Sequence, residues 1–76
     1  MQPIKVSGET PFQVCAHSFS VSPSASGYTL QYSANGYDYT AYTESTPANE
    51  TLIVNGCAKG MFFRLSGNSG EVTVIY

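Results

Sequence analysis

Charge is scarce in this sequence. Charged residues make up 11% of the 76-residue chain, against about 25% in an ordinary soluble domain. Only Lys5, Lys59 and Arg64 are positive. Affinity for nucleic acid rises with the number of phosphates neutralised, so three scattered cations argue against a phosphate-backbone grip. Tryptophan is absent, histidine occurs once, and the two cysteines allow one internal bridge at most. There is no CxxC pair and no fourth ligand to complete a zinc site. No run approaches the roughly 18 apolar residues of a membrane-spanning helix. The opening "MQPIKVSGET" turns polar at once. It lacks the basic region and apolar run of a secretory signal, so none is expected.

Ser, Thr, Gly, Asn and Tyr fill the space that charge leaves. A surface of hydroxyls and amides is the style of extracellular β-proteins and of virion parts. Combined with the missing export signal, two origins fit: a piece of a longer secreted protein, or a virion protein assembled in the host cytoplasm and released by lysis. The second is the expectation here. A chain of this size reads as one domain, residues 1–76, and buries only about 60% of its unfolded surface. Oligomerisation or docking on a larger body is therefore expected to reinforce it.

Helical periodicity is missing throughout. Short β-branched and aromatic runs alternate with Gly, Pro, Asn and Ser punctuation, which is an all-β pattern. The runs are 4–7, 12–16 continuing through Val21, 28–33, 37–43, 51–55, 61–66 and 71–76. Six or seven short strands at this spacing predict a small antiparallel β-sandwich, immunoglobulin-like or jelly-roll-like in order. Asn35-Gly36 favours the positive-φ pair of a type I′ hairpin turn, pairing 28–33 with 37–43. A second hairpin at Gly67–Gly70 would join 61–66 to 71–76.

Alternation along each strand then assigns faces. Tyr28, Leu30 and Tyr32 share a buried face, as do Met61, Phe63 and Leu65. Val72, Val74 and Tyr76 lie on one side of the last strand. Phe62, Arg64 and Ile75 fall outside, and regular alternation puts Tyr42 outside too. Tyr37 and Tyr39 share the opposite face of the same run. Outward apolar groups form either a contact patch or a satellite cluster under a loop such as 44–50.

The only arrangement that invites an enzymatic reading is Cys15-Ala16-His17. On a strand, positions i and i+2 share a face, and a thiol–imidazole dyad needs that proximity. A cysteine in "FQVCAHSF" is far more often a small buried hydrophobe, so no catalytic role is assigned. A Cys15–Cys57 bridge is permitted by parity and decided by geometry. In a bacterial cytosol both thiols stay reduced, which is the expectation. Asp38, Glu44, Glu50 and Glu71 fall on separate segments, whereas glycoside hydrolysis needs two carboxylates facing one cleft. The sequon Asn49-Glu50-Thr51 is what chance gives in a chain this rich in Ser and Thr. No catalytic, cofactor or metal site is predicted.

Two stretches, "YTLQYSANGYDYT" and "VNGCAKGMFFRLSGNSGEVTV", resemble small β-domains in structural proteins of tailed bacteriophages. These include capsid decoration (auxiliary head) proteins and fibre modules, and the resemblance covers residues 27–76. It implies a non-enzymatic virion component that binds and stabilises the capsid lattice, with the major capsid protein or another virion protein as partner. The candidate contact residues are Tyr37, Tyr39, Tyr42, Phe62 and Arg64, because tyrosine and arginine supply rigid, amphipathic contacts. The alternative is a carbohydrate-binding or adhesin module whose tyrosines stack on a glycan.

Overall fold

The computed structural model describes residues 3–76. Eight strands follow in chain order: β1 (Pro3–Ser7), β2 (Phe12–Val14), β3 (Ser18–Val21), β4 (Thr29–Ser33), β5 (Thr40–Ala41), β6 (Leu52–Asn55), β7 (Met61–Ser66) and β8 (Glu71–Ile75). They form two four-stranded antiparallel sheets. The back sheet is ordered β1-β8-β3-β6 and the front sheet β2-β7-β4-β5.

The pairings show how the chain is laid out. β1 pairs with β8, β2 with β7, β3 with β6 and β4 with β5. The partners Pro3↔Ile75, Phe12↔Phe63, Ser18↔Asn55 and Gln31↔Ala41 are all centred between Gly36 and Tyr39. The chain is therefore one long antiparallel hairpin, rolled up so that its successive pairs alternate between two layers. The β3–β8 and β4–β7 ladders join the pairs within each layer.

Phe63 sits where the layers meet. It is fully buried, with Phe12 beside it in the front sheet at 5.9 Å between ring centroids. Phe19 reaches it from the back sheet at 4.8 Å. Val14, Val21, Leu30, Leu65 and Val74 complete the fully buried set of aliphatics. Each such side chain contributes about 1.5–3 kcal/mol through its removal from water.

Four expectations need correction. The run 12–21 is two strands in different sheets, making eight strands rather than six or seven. Its inward residues change phase, from Phe12 and Val14 to Phe19 and Val21, because the chain crosses between layers at Cys15–His17. The segment Gly67–Gly70 is likewise a crossing and not a hairpin, since β7 and β8 lie in opposite sheets. Asn68 is drawn inward there: its Oδ1 accepts from Ser24 Oγ at 2.6 Å and its Nδ2 donates to the Gly8 carbonyl at 2.9 Å.

The third correction concerns the turn at Asn35-Gly36. The β4–β5 hairpin exists, but only Gly36 takes a positive φ (82°), and Asn35 does not. A two-residue type I′ turn is thereby excluded, and the connection runs from Ala34 to Tyr39. The fourth follows from this longer loop. It places Tyr32 opposite Thr40, one residue away from the register of a two-residue turn. A one-residue slip moves every side chain to the other face, so Tyr42 turns inward and packs against the core.

Candidate functional site

The outer face of the front sheet gathers four of the five expected contact residues. Phe62 and Arg64 come from β7, and Tyr39 immediately precedes β5. Tyr37 stands on the Ala34–Tyr39 loop and is 87% exposed. Tyr42 is the exception: it lies on the core side, edge-on to Tyr32 and to Phe63.

A small network sets the loop. Ser33 Oγ accepts from the amides of Asn35 and Gly36 at 3.2 and 2.9 Å, and donates to Asn35 Oδ1 at 2.8 Å. That same Asn35 oxygen accepts from the amides of Tyr37 and Asp38 at 2.8 and 3.0 Å. Asn35 Nδ2 donates to Asp38 Oδ2 at 3.1 Å. The asparagine side chain thus acts as the hub of the loop, satisfying backbone donors as Asx turns do. Gly36 lies against Phe62: a β-carbon added there would stand 3.7 Å from the ring. The loop therefore covers part of Phe62, and residues 44–50 turn elsewhere, with Thr46 bridging to Tyr28.

Arg64 is held on two sides. Its Nε and Nη2 both donate to Gln31 Oε1, at 2.9 and 2.7 Å, and β4–β7 register places the two residues directly opposite. Its guanidinium carbon lies 4.2 Å from the centroid of the Tyr39 ring, within cation–π range. Among the described residues the only ion pair is Lys5–Glu71 at 3.7 Å. Arg64 is thus immobilised with its charge uncompensated by any carboxylate of the described chain.

Between this assembly and β2 runs an open groove of about 400 Å³, floored by Phe62 and flanked by Gln13, Asn35, Tyr37 and Tyr39. Gln13 and Gln31 carry no signal in the sequence, and Asn35 reads there as a turn residue alone. The β4–β7 register that places Gln31 beside Arg64 is long-range, and no local pattern announces it.

The other outer face is plainer. Ile53 is 67% exposed and shares a shallow depression of about 290 Å³ with Ser18, Ser20, Asn55 and Ile75. Ile75 points outward as expected, and Ile53 joins it.

The thiols and the histidine do not form a dyad. His17 Nδ1 donates to the Cys57 carbonyl at 2.9 Å, and the Cys57 amide donates to the His17 carbonyl at 2.8 Å. The Cys57 thiol donates to the Ala16 carbonyl at 3.3 Å. Cys15 is exposed, Cys57 is buried, and both are free. Burial pushes the Cys57 thiol up from its ordinary pKa, the wrong direction for a nucleophile. These groups tie one interlayer crossing to the β6–β7 loop, which is a structural role. Among the described residues no three His, Cys, Asp or Glu side chains cluster as metal ligands. Nor, among these residues, is any helix long and apolar enough to cross a membrane.

No family model, no curated protein and no solved structure matches the chain.

Proposed function

We propose that this chain is a non-enzymatic structural component of a tailed-phage particle, a decoration protein that binds and stabilises the capsid lattice. The observation that carries this reading is the fixed front face, where Arg64 is pinned by Gln31 and stacked on Tyr39 beside Phe62. Side chains already immobilised lose little entropy on binding, so rigid aromatic and arginine groups make efficient contacts with a protein partner. We read the strand order as a small jelly roll, an architecture common among capsid and lectin domains; order alone does not assign a function. Phe62, Arg64, Tyr37 and Tyr39 form the contact face, while Tyr42 supports it from the core side. Mass spectrometry of purified particles is expected to find the chain in stoichiometric amount. Its absence from every virion would overturn the reading.

The groove supports a second reading, as a glycan-binding module. Aromatic walls with amide groups from Gln13 and Asn35 suit a sugar ring, and about 400 Å³ lies within the usual range for small-ligand sites. A glycan array with the folded chain separates the two. Binding that Tyr37→Ala abolishes would favour the glycan, and an empty array would leave the capsid reading alone.

A further inference from the structure

Four strands lie at the edges of the two sheets, and three of them carry features that discourage further pairing. β1 contains Pro3 and Lys5, β2 is three residues long, and β5 is two. Proline, lysine and brevity are the means by which natural sheets blunt their edges. β6 has none of them. It reads Leu-Ile-Val-Asn, without charge, proline or glycine, and its only neighbour is β3. Alternate backbone groups of an antiparallel strand point to opposite sides. Half of those in β6 therefore face away from β3, and no backbone hydrogen bond outside its ladder reaches Leu52–Asn55 among the described residues. Ile53 and Tyr37 are the two large apolar side chains standing most fully in solvent.

We propose that β6 pairs with β6 of a second copy, antiparallel about a two-fold axis midway between the two Ile53 residues, joining two back sheets into one continuous eight-stranded sheet. This register is self-complementary. Ile53 meets Ile53 of the second copy on the outer face, Leu52 faces Val54, and Thr51 faces Asn55, so apolar groups meet apolar and polar meet polar. Charge does not oppose the antiparallel sense: exposed Glu50 lies two residues before the strand, and this register sets it opposite the uncharged Gly56 of the second copy. The flanking residues Ser18, Ser20, Asn55 and Ile75 are uncharged, and no like charges are brought together. A two-fold interface of this kind uses one patch twice.

The area bears on affinity. One four-residue ladder and an isoleucine pair bury less than the roughly 1,200 Å² of a stable interface. The dimer is therefore weak in dilute solution and favoured where copies are held close together, as on a surface with many binding sites. The proposal does not depend on the capsid reading, because the front face takes no part in it.

Sedimentation equilibrium tests it. The weight-average mass is expected to rise toward twice that of the chain as concentration increases. Ile53→Lys, at an exposed position, is expected to keep the circular dichroism and unfolding midpoint while abolishing the rise. Register is read by cross-linking in a Cys15→Ser background, with oxidised glutathione accepting the two electrons. Ile53→Cys is expected to give a covalent dimer, and Asn55→Cys to give one only when mixed with Thr51→Cys. A chain that remains monomeric at every concentration, or a dimer that Ile53→Lys leaves intact, overturns the proposal.

Discussion

The ring of Tyr42 meets that of Tyr32 edge-on, with 5.6 Å between centroids, on the core side of the front sheet. Tyr42 also reaches Phe63 at 6.2 Å, and its amide donates to the Leu30 carbonyl at 2.8 Å, extending the β4–β5 ladder beyond Ala41. A two-residue edge strand has little else to hold it. Tyr42→Ser is therefore expected to destabilise the fold by about 2–3 kcal/mol, below the full cost of deleting a completely buried aromatic. Urea unfolding measures this. An unchanged midpoint would place the ring in solvent, as the register of a two-residue turn at Asn35-Gly36 would have it.

Tyr28 is buried, and among the described residues its hydroxyl has no hydrogen-bond partner. A buried group left unpaired costs about 1–3 kcal/mol, so Tyr28→Phe is expected to leave stability at neutral pH equal or higher. The two chains diverge in alkali. Burial pushes the Tyr28 phenol from its ordinary 10.0 up to about 12. Above pH 10 the unfolded chain releases a proton that the folded chain keeps. Stability present below pH 10 is therefore lost as pH rises from 10 to 12. Tyr28→Phe removes that part of the loss, and denaturant titrations of both chains across this window are expected to show the difference.

Much of this architecture is legible in local pattern, and the exceptions have physical causes. Phe63 and Leu65 inward with Phe62 and Arg64 outward follow from alternation alone. The phase change from Phe12 and Val14 to Phe19 and Val21 is also written in the sequence, and it marks a crossing between layers once two strands are allowed in that run. The slip at Asn35 is harder to read. Asn-Gly suits a two-residue turn, and the longer loop prevails because Ser33 and the Asn35 side chain together accept four backbone amides. "SGNSGE" has hairpin composition, and it becomes a crossing because Asn68 finds Ser24, 44 residues away. The front face depends on Gln31 lying opposite Arg64, a pairing no local window contains.

Asn68 fastens the end of the sandwich where that crossing lies. Besides the bonds to Ser24 and Gly8, it donates to the Gly70 carbonyl at 3.4 Å, and it is buried together with Ser24. Asn68→Ala removes the short acceptor of the Ser24 hydroxyl, leaving it the longer contacts with Ser26. It also takes the side-chain donor from the Gly8 carbonyl, with an expected loss of about 1–3 kcal/mol. The double variant with Ser24→Ala is expected to lose less than the sum of the two single changes, because they share one network. Additive losses in thermal or urea unfolding would mean that the two side chains act independently.

Arg64 separates the stability of the front face from its contacts. Its stack on Tyr39 is partly solvent-exposed, where a cation–π pair is worth about 0.5–1 kcal/mol. Arg64→Gln also gives up the forked bonds to Gln31, so the expected loss of stability is about 1–2 kcal/mol. Binding is a different matter. On the capsid reading, the uncompensated guanidinium meets an acceptor on the lattice, and a charge-assisted contact of about 1.5–3 kcal/mol corresponds to roughly tenfold or more in affinity. Arg64→Lys keeps the charge but loses the planar stack and the forked donors, and is expected to fall between wild type and Arg64→Gln. Rebinding of each chain to particles depleted of it, followed by sedimentation, gives the order. If all three rebind equally, the contact lies elsewhere and the front face is not the docking surface.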